Sequence, residues 1–226
     1  HESRGIEMGL NASKGNMYSW VTHTWNTVKG KCPHDCSYCY MHRWGNQKPV
    51  RFDDKEIMTD LGAGHTIFVG SSCDLFANDI PDAWIAKTIN RCLDFNNSYL
   101  FQSKNPQRFS DYFNHLYTDT KFCTTIETNR FYPEIMGNTP GVKDRAYFLR
   151  EWPFERYLTI EPIMDFDLDE MVEIIKMCEP AQVNIGADSG NNGLPEPSRE
   201  KLIQLIDALR EFTVIDQKRN LLRLLK

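Results

Sequence analysis

Short apolar runs alternate with helical patterns along most of this chain of 226 residues. Six runs have the length and the continuous apolar character of strands that are covered on both faces. They lie at residues 18–28, 66–70, 99–103, 122–127, 157–161 and 183–186. Because consecutive parallel strands are joined by right-handed helical crossovers, this order predicts a parallel sheet. We expect an α/β fold, a partial (β/α)6 TIM-like barrel with parallel strands, in one domain over residues 1–226.

Five segments between or after these runs are predicted helices with an apolar face. They are residues 83–93, residues 107–116, residues 142–152, the segment after Asp167 and the segment after Ser198. Asp167 and Glu170 have the spacing of a capping box, and Ser198 is a residue type that caps helix N-termini. Cys92 and Cys178 fall on apolar helix faces, so we expect both thiols in the core.

Three of the seven cysteines lie within eight residues, at Cys32, Cys36 and Cys39. A thiolate triplet this close can hold three corners of a metal cluster from one loop, here residues 29–44. The fourth corner then has no protein ligand from this loop, and an open metal position can bind a small molecule. The alternative is a zinc site completed by His34 or His42. The other cysteines are scattered, which suits a reducing compartment.

Polar side chains follow the predicted strands at the ends where parallel barrels carry their chemistry. They are Ser71, Ser72, Cys73, Asp74, Lys104, Glu127, Glu161 and Asp188. A lysine at the start of a helix, such as Lys104, conflicts with the helix dipole unless an anion lies beside it. Lys104 is therefore a candidate carboxylate ligand, with a surface lysine as the alternative. One lysine, several carboxylates and the cysteine loop on one rim predict a single active site.

The charge of the chain is uneven. A net charge of −5 argues against a general nucleic-acid binder. Residues 29–51 nevertheless carry five cations against one carboxylate, and the basic segment 216–226 adds four cations. These stretches suit an anionic ligand or, alternatively, a solvated surface. No apolar run of about 18 residues and no signal-peptide core is evident, so we expect a cytoplasmic protein without a membrane span.

The spacing of the three cysteines at the end of a first strand resembles that of the radical S-adenosylmethionine (SAM) superfamily. Residues 16–210 also resemble a group of phage-associated radical SAM proteins. The matching motifs are Trp25-Asn26, Val69-Gly70-Ser71, Asp74-Leu75-Phe76, Lys104-Asn105-Pro106, Glu127, Ile160-Glu161-Pro162, Gly186 and Ser189-Gly190. The resemblance implies a 4Fe–4S cluster, SAM as cofactor and an external electron donor of the flavodoxin or ferredoxin type. It further implies cleavage of SAM and abstraction of a hydrogen atom from a substrate.

The same resemblance assigns roles to residues near the cluster. Tyr38 takes the place of an aromatic ring beside the adenine, with a packing tyrosine as the alternative. Gly70, Ser71 and Ser72 replace the turn whose backbone meets the SAM ammonium group. Glu127 is a candidate ligand of the ribose hydroxyls, or else a structural cap or salt bridge. Tyr40 either relays a hydrogen atom or covers the cluster.

Locally the chain is similar to spore photoproduct lyases, the radical SAM enzymes that repair a thymine dimer in DNA. The likeness lies in residues 36–40, in the pair Ser72-Cys73 and in Lys104. It implies that Cys73 returns a hydrogen atom to the product radical, that Lys104 contacts the SAM carboxylate, and that the substrate is a nucleic acid or nucleotide. The alternatives are a packed Cys73, a peptide or small-metabolite substrate, or a zinc-stabilised binding module without redox activity.

Overall fold

The computed structural model describes residues 10–115 and 119–226, which contain a mostly parallel sheet and its flanking helices. Ten strands are present in these residues. They are β1 Asn11–Ala12, β2 His23–Trp25, β3 Val28–Lys29, β4 Arg51–Phe52, β5 Thr66–Val69, β6 Ser98–Gln102, β7 Thr120–Thr125, β8 Arg156–Ile160, β9 Gln182–Ile185 and β10 Val214–Gln217. The main sheet has the order β1-β2-β5-β6-β7-β8-β9-β10, and β3 pairs with β4 separately.

Every neighbouring pair in the main sheet is parallel except β1 with β2. Trp25 pairs with Val69, and Val69 with Phe101, so the carboxyl ends of β2, β5 and β6 lie at one edge. The predicted α/β fold with parallel strands is confirmed. β10 is a seventh parallel strand, which the six-strand prediction omits.

The first five helices lie in the connections between the parallel strands, and the sixth follows β10. They are α1 Asp82–Leu93, α2 Pro133–Met136, α3 Val142–Arg150, α4 Leu168–Met177, α5 Arg199–Arg210 and α6 Leu222–Leu225. Cys92 and Cys178 are buried, as predicted. The helix predicted at residues 107–116 is a 3-10 helix over Pro106–His115, and residue 116 lies outside the described residues, as do residues 1–9 of the predicted domain.

Residues 17–21 fill the concave face of the sheet and do not extend it. Tyr18 packs with Phe68, Leu100, Cys123 and Tyr157, which project from four successive strands. The Tyr18 hydroxyl donates to Gln102, and its ring stacks on Trp20 with centroids 5.4 Å apart. The strand predicted at residues 18–28 is therefore too long, because burying these aromatic rings inside the barrel removes more apolar surface from water than extending an edge would.

One of the two predicted helix caps forms a capping hydrogen bond, and the other does not. The Ser198 hydroxyl accepts from the Lys201 N–H at 3.3 Å, as predicted. Asp167 precedes α4 but makes no capping bond, because its carboxylate binds Arg130. None of the helices in the described part of the chain combines the length and the apolar character that crossing a bilayer requires.

Candidate active site

A cavity of about 990 Å³ opens at the carboxyl ends of the parallel strands. Its walls include Cys32, Cys36 and Cys39, together with residues that follow β5, β6 and β8. Parallel barrels bind their substrates at this end. The volume lies at the upper end of the roughly 300–1,000 Å³ that ligand pockets occupy, so the cavity has room for more than one small molecule.

Contacts with the connection between β7 and α3 hold the cysteine segment, defined here as residues 32–39. The Ser37 N–H donates to the Ile135 carbonyl at 2.9 Å, and the Asn138 N–H donates to the His34 carbonyl at 2.7 Å. Gly137 has a φ of 65°, and a Cβ there would lie 2.2 Å from the His34 carbonyl oxygen. Only glycine allows this approach, so the segment is fastened to a loop more than 90 residues away.

Asp74 fastens the cysteine segment to the sheet from another side. Its Oδ2 lies 2.8 Å from His34 Nε2 and accepts from the Ser103 hydroxyl at 3.0 Å. It also accepts from the Lys104 N–H at 2.8 Å, and Oδ1 accepts from the Phe76 N–H at 2.9 Å. Burial alone would raise the pKa of Asp74, but the charge and the hydrogen bond of His34 lower it. Burial alone would lower the pKa of His34, but Asp74 raises it, so the two form a buried ion pair.

Lys104 lies beside Cys36 in a buried group of charges. Its Nζ is 3.4 Å from the Cys36 Sγ, 2.5 Å from the Tyr38 hydroxyl and 3.2 Å from a Glu127 oxygen. Arg145 donates to the other Glu127 oxygen at 2.8 Å. Burial opposes the charge of Lys104, but Tyr38, Cys36 and Glu127 raise its pKa well above the usual value. A positive charge is therefore held next to the second cysteine.

Glu127 lies beneath this group and supports it. Its side chain is fully buried, and it accepts a hydrogen bond from the Tyr38 hydroxyl. Burial would raise the pKa of Glu127, but Arg145 and Lys104 lower it to about 2. Tyr38 and Lys104 reach the cavity wall above it. The carboxylate of Glu127 is bonded to Tyr38, Lys104 and Arg145. The predicted contact of Glu127 with a ribose stays a prediction.

Cys73 packs against Cys32 within the apolar core. It is 2% exposed, and its thiol lies beside that of Cys32. The interaction between the two thiols lowers the pKa of Cys32 and raises that of Cys73. The predicted role of Cys73 as a hydrogen-atom donor stays a prediction.

A turn after β5 brings three predicted residues to the cavity. Gly70 has a φ of 80°, which favours glycine. Asn26 accepts from the Ser72 N–H at 2.8 Å and from the Ser71 hydroxyl at 3.2 Å. The Tyr40 hydroxyl donates to the Ser71 carbonyl at 3.1 Å, which ties the end of the cysteine loop to the turn. Gly70, Ser71, Ser72 and Tyr40 all line the cavity.

Glu161 forms a second polar wall at the end of β8. Asn16 donates to its carboxylate at 2.6 Å, and Lys218 donates as well. The Lys218 ammonium lies 4.5 Å from the centroid of the Tyr18 ring. A Cβ on Gly186 would lie 2.7 Å from a Glu161 oxygen, so glycine leaves the space that this carboxylate occupies. Residues from both ends of the described chain therefore meet at one carboxylate.

No protein-family model matches the sequence, and no curated protein matches it. The fold, however, matches solved structures, and it is similar to that of spore photoproduct lyase. A cysteine-to-serine variant of that lyase gives a TM-score of 0.65 at 11% identity, covering 94% of this chain and 79% of the lyase chain. A double variant with bound AdoMet and dinucleoside spore photoproduct gives a TM-score of 0.64 at 10% identity, covering 95% and 87%. A tyrosine-to-phenylalanine variant gives 0.65 at 11%, covering 95% and 87%.

The cysteines of this lyase-like fold suit a cluster better than a single ion. In residues 10–115 and 119–226, no group of three His, Cys, Asp or Glu side chains is arranged to hold one metal ion. His34 Nε2 is bonded to Asp74, so this candidate zinc ligand has another partner. His42 Nδ1 lies 3.2 Å from the Ser37 carbonyl, a contact that does not prevent the other ring nitrogen from binding a metal. In a 4Fe–4S cluster each thiolate binds a different iron, so the thiolates need not converge on one point. Three thiols on one cavity wall, beside the Lys104 ammonium, fit that group.

The sequence gives no role to some residues that support the candidate site from behind. Arg145 is 1% exposed and lies on the same face of α3 as the buried Val142, Ala146 and Leu149. A charged residue on a predicted apolar helix face is the signal that could have identified it, because such a charge needs a buried partner. Asn26 belongs to one of the motifs that carry the resemblance, but nothing in the sequence indicates that it holds Ser71 and Ser72, since an asparagine after a strand is common in turns.

Proposed function

We propose that this protein is a radical SAM enzyme in which Cys32, Cys36 and Cys39 hold a 4Fe–4S cluster. The observation that carries the proposal is the placement of these three thiols on one wall of the cavity at the carboxyl ends of the strands. The similarity of the fold to spore photoproduct lyase supports it. When bound, the cluster supplies one electron that splits SAM into methionine and a 5′-deoxyadenosyl radical, which takes a hydrogen atom from the substrate.

The residues around the cysteines have the chemistry that a charged nucleoside requires. Lys104 presents an ammonium group for the SAM carboxylate, held in place by Glu127. Tyr38 offers a ring for the adenine, and its hydroxyl is fixed by the same glutamate. The turn at Gly70, Ser71 and Ser72 provides backbone carbonyls close to the cysteines for the SAM ammonium. In this arrangement Glu127 acts through Lys104 and Tyr38 as a positioning residue.

The proposed substrate is a nucleic acid or a nucleotide. One of the similar lyase structures contains AdoMet and a dinucleoside spore photoproduct, and the rim of this cavity carries several cations. Tyr40 is 44% exposed at the cavity, so it is placed to exchange a hydrogen atom with a bound molecule. Cys73 would act on the substrate radical only through a residue such as Tyr40, because its thiol is buried and is not among the residues that line the cavity.

Anaerobic reconstitution with iron and sulfide tests the cofactor assignment. The reconstituted protein is expected to be brown, to contain about four irons per chain, and to form 5′-deoxyadenosine from SAM with dithionite, which replaces the external electron donor of the flavodoxin or ferredoxin type. Cys36→Ala should lose both the bound iron and the product. Cys178→Ala is the matched control, because its thiol is buried in the core away from the cavity.

Two results would refute the proposal. One is a colourless protein that binds a single zinc ion and leaves SAM intact. The other is equal formation of 5′-deoxyadenosine by Cys36→Ala and the native protein. A protein that forms 5′-deoxyadenosine but gains no turnover from oligonucleotides would retain the radical SAM assignment and redirect the substrate search to peptides or small metabolites.

A further inference from the structure

The chain leaves the cysteine segment through an exposed stretch that we call the aromatic lip, residues 40–48. It begins with a 3-10 helix, Tyr40–Trp44, in which no residue is buried. Trp44 is 75% exposed, whereas Trp25 is 0% and Trp152 is 4% exposed. Trp44 also lines the cavity that contains the cysteines. Trp44 therefore presents a large flat ring to water at the mouth of the cavity, where it can stack on a bound ligand.

Cations that share the cavity with this tryptophan, or lie near it in sequence, lack acidic partners in the part of the chain that the structure describes. Lys14 and Arg43 line the same cavity, and Lys48 and Arg51 lie close by along the chain. Among the described residues, no carboxylate lies within ion-pair distance of any of these four; Arg43 donates to the Ser189 carbonyl. Residues 40–48 contain no acidic residue. The lip is therefore a positive patch on a chain whose net charge is −5.

An aromatic face among unpaired cations has the chemistry of a single-stranded nucleic-acid site, where bases stack and phosphates meet cations. An acidic electron-carrier protein would also be attracted to the charges. Such a carrier needs only to approach the metal from outside, and it gives no reason for an exposed indole to line the interior cavity. A strand that inserts one nucleotide into the cavity must pass this rim, which accounts for Trp44 and the cations together.

We infer that the aromatic lip binds a single-stranded nucleic acid, with a base stacked on Trp44 and backbone phosphates held by Lys14 and Arg43. The nucleotide next to the stacked base then enters the cavity. This last step rests on the proposed function, whereas binding to the lip does not.

Fluorescence anisotropy of an end-labelled oligothymidylate of about 12 nucleotides tests the inference, since single-strand sites span roughly 4–16 nucleotides. Stacking should quench Trp44. We expect Trp44→Ala to weaken binding at least about fivefold, the lower end of what stacking contributes, and Trp44→Phe to retain most of the affinity. Lys14→Gln should reduce the slope of log K against log salt by about 0.7, the value for one phosphate contact on a single strand. Phe131→Ala is the matched control, because Phe131 is 80% exposed elsewhere.

The outcomes separate the inference from the proposed function. Unchanged affinity in Trp44→Ala, or no binding by the native protein in low salt, would overturn the inference. The inference would also be overturned if Trp44→Ala slowed reduction of the protein by flavodoxin while its affinity for the oligonucleotide stayed the same. The lip would then be the binding site of the electron donor. Formation of 5′-deoxyadenosine with dithionite needs no nucleic acid, so it reports on the proposed function alone.

Discussion

The cysteine segment and the aromatic lip are adjacent in sequence but differ in how closely they are held. Residues 32–39 are fastened by distant parts of the chain, through Asp74, the Ile135 carbonyl and the close approach of Gly137. Residues 40–48 have no buried residue in their 3-10 helix; they reach distant parts of the chain through Tyr40 and Arg43, and their other bonds, such as those from the Gln47 amide, are short-range. The part that would hold a metal is thus packed more closely than the part that would meet a ligand.

The largest expected effect breaks the fastening of the cysteine segment. Asp74→Ala removes the partner of a buried His34 and the acceptor of the Ser103 hydroxyl and two backbone N–H groups. We expect a loss of about 3–5 kcal/mol in the free energy of unfolding, measured by urea denaturation. Trp44→Ala, in the lip, should change it by no more than about 0.5 kcal/mol. Similar losses in both variants would contradict the comparison.

Acid should act on the fastened region and not directly on the lip. The pKa of Glu127 is lowered to about 2 by Arg145 and Lys104. A carboxyl group whose pKa is lower in the folded state stabilises the fold above its unfolded pKa of about 4.3, and this contribution is lost as the pH falls toward 2. We expect a loss on the order of 3 kcal/mol over that window, with Asp74 acting in the same direction.

Thermal unfolding between pH 7 and pH 2 measures this effect. The Glu127→Gln variant should be less stable at pH 7 and should lose less stability on acidification than the native protein. A steep loss between pH 7 and pH 5, where neither carboxyl group titrates in the folded or the unfolded state, would contradict the assignment. Residues 40–48 have no side-chain carboxyl group, so they contribute nothing to this loss of stability at low pH.

A pair of glycines gives the smallest and most selective test. Gly137 and Gly45 have similar φ values, 65° and 74°, so alanine strains the backbone comparably at both. A Cβ at Gly137 would meet the His34 carbonyl oxygen at 2.2 Å, whereas one at Gly45 would meet no atom within 4 Å. Gly137→Ala should therefore cost about 1–3 kcal/mol more than Gly45→Ala in urea denaturation. Equal costs would show that the fastening of the segment is loose.

The alternation of strands and helices made most of the fold predictable, because apolar runs of this kind report burial on both faces of a sheet. The prediction fails where tertiary contacts override local pattern. Residues 17–21 have the composition of a strand but fill the interior, and Asp167 has capping spacing but binds Arg130. β10 was missed because the cations after it dominate the segment, although Val214 and Ile215 are typical strand residues.

The candidate site was predictable where one local motif carries the chemistry and unpredictable where distant residues complete it. The cysteines, the turn at Gly70 and Lys104 all lie at strand ends and meet at one cavity. The burial of Glu127 under Lys104, and the pairing of Asp74 with His34, depend on how separate connections pack together. Spacing along the chain contains no information about that packing.

The meeting of Asn16 and Lys218 at Glu161 has a consequence for the order of assembly. Asn16 precedes Glu161 by 145 residues, and Lys218 follows it by 57. Because a chain emerges from its amino end, the wall at Glu161 cannot close before residue 218 has been made. This side of the cavity is therefore completed later than the side that carries the three cysteines.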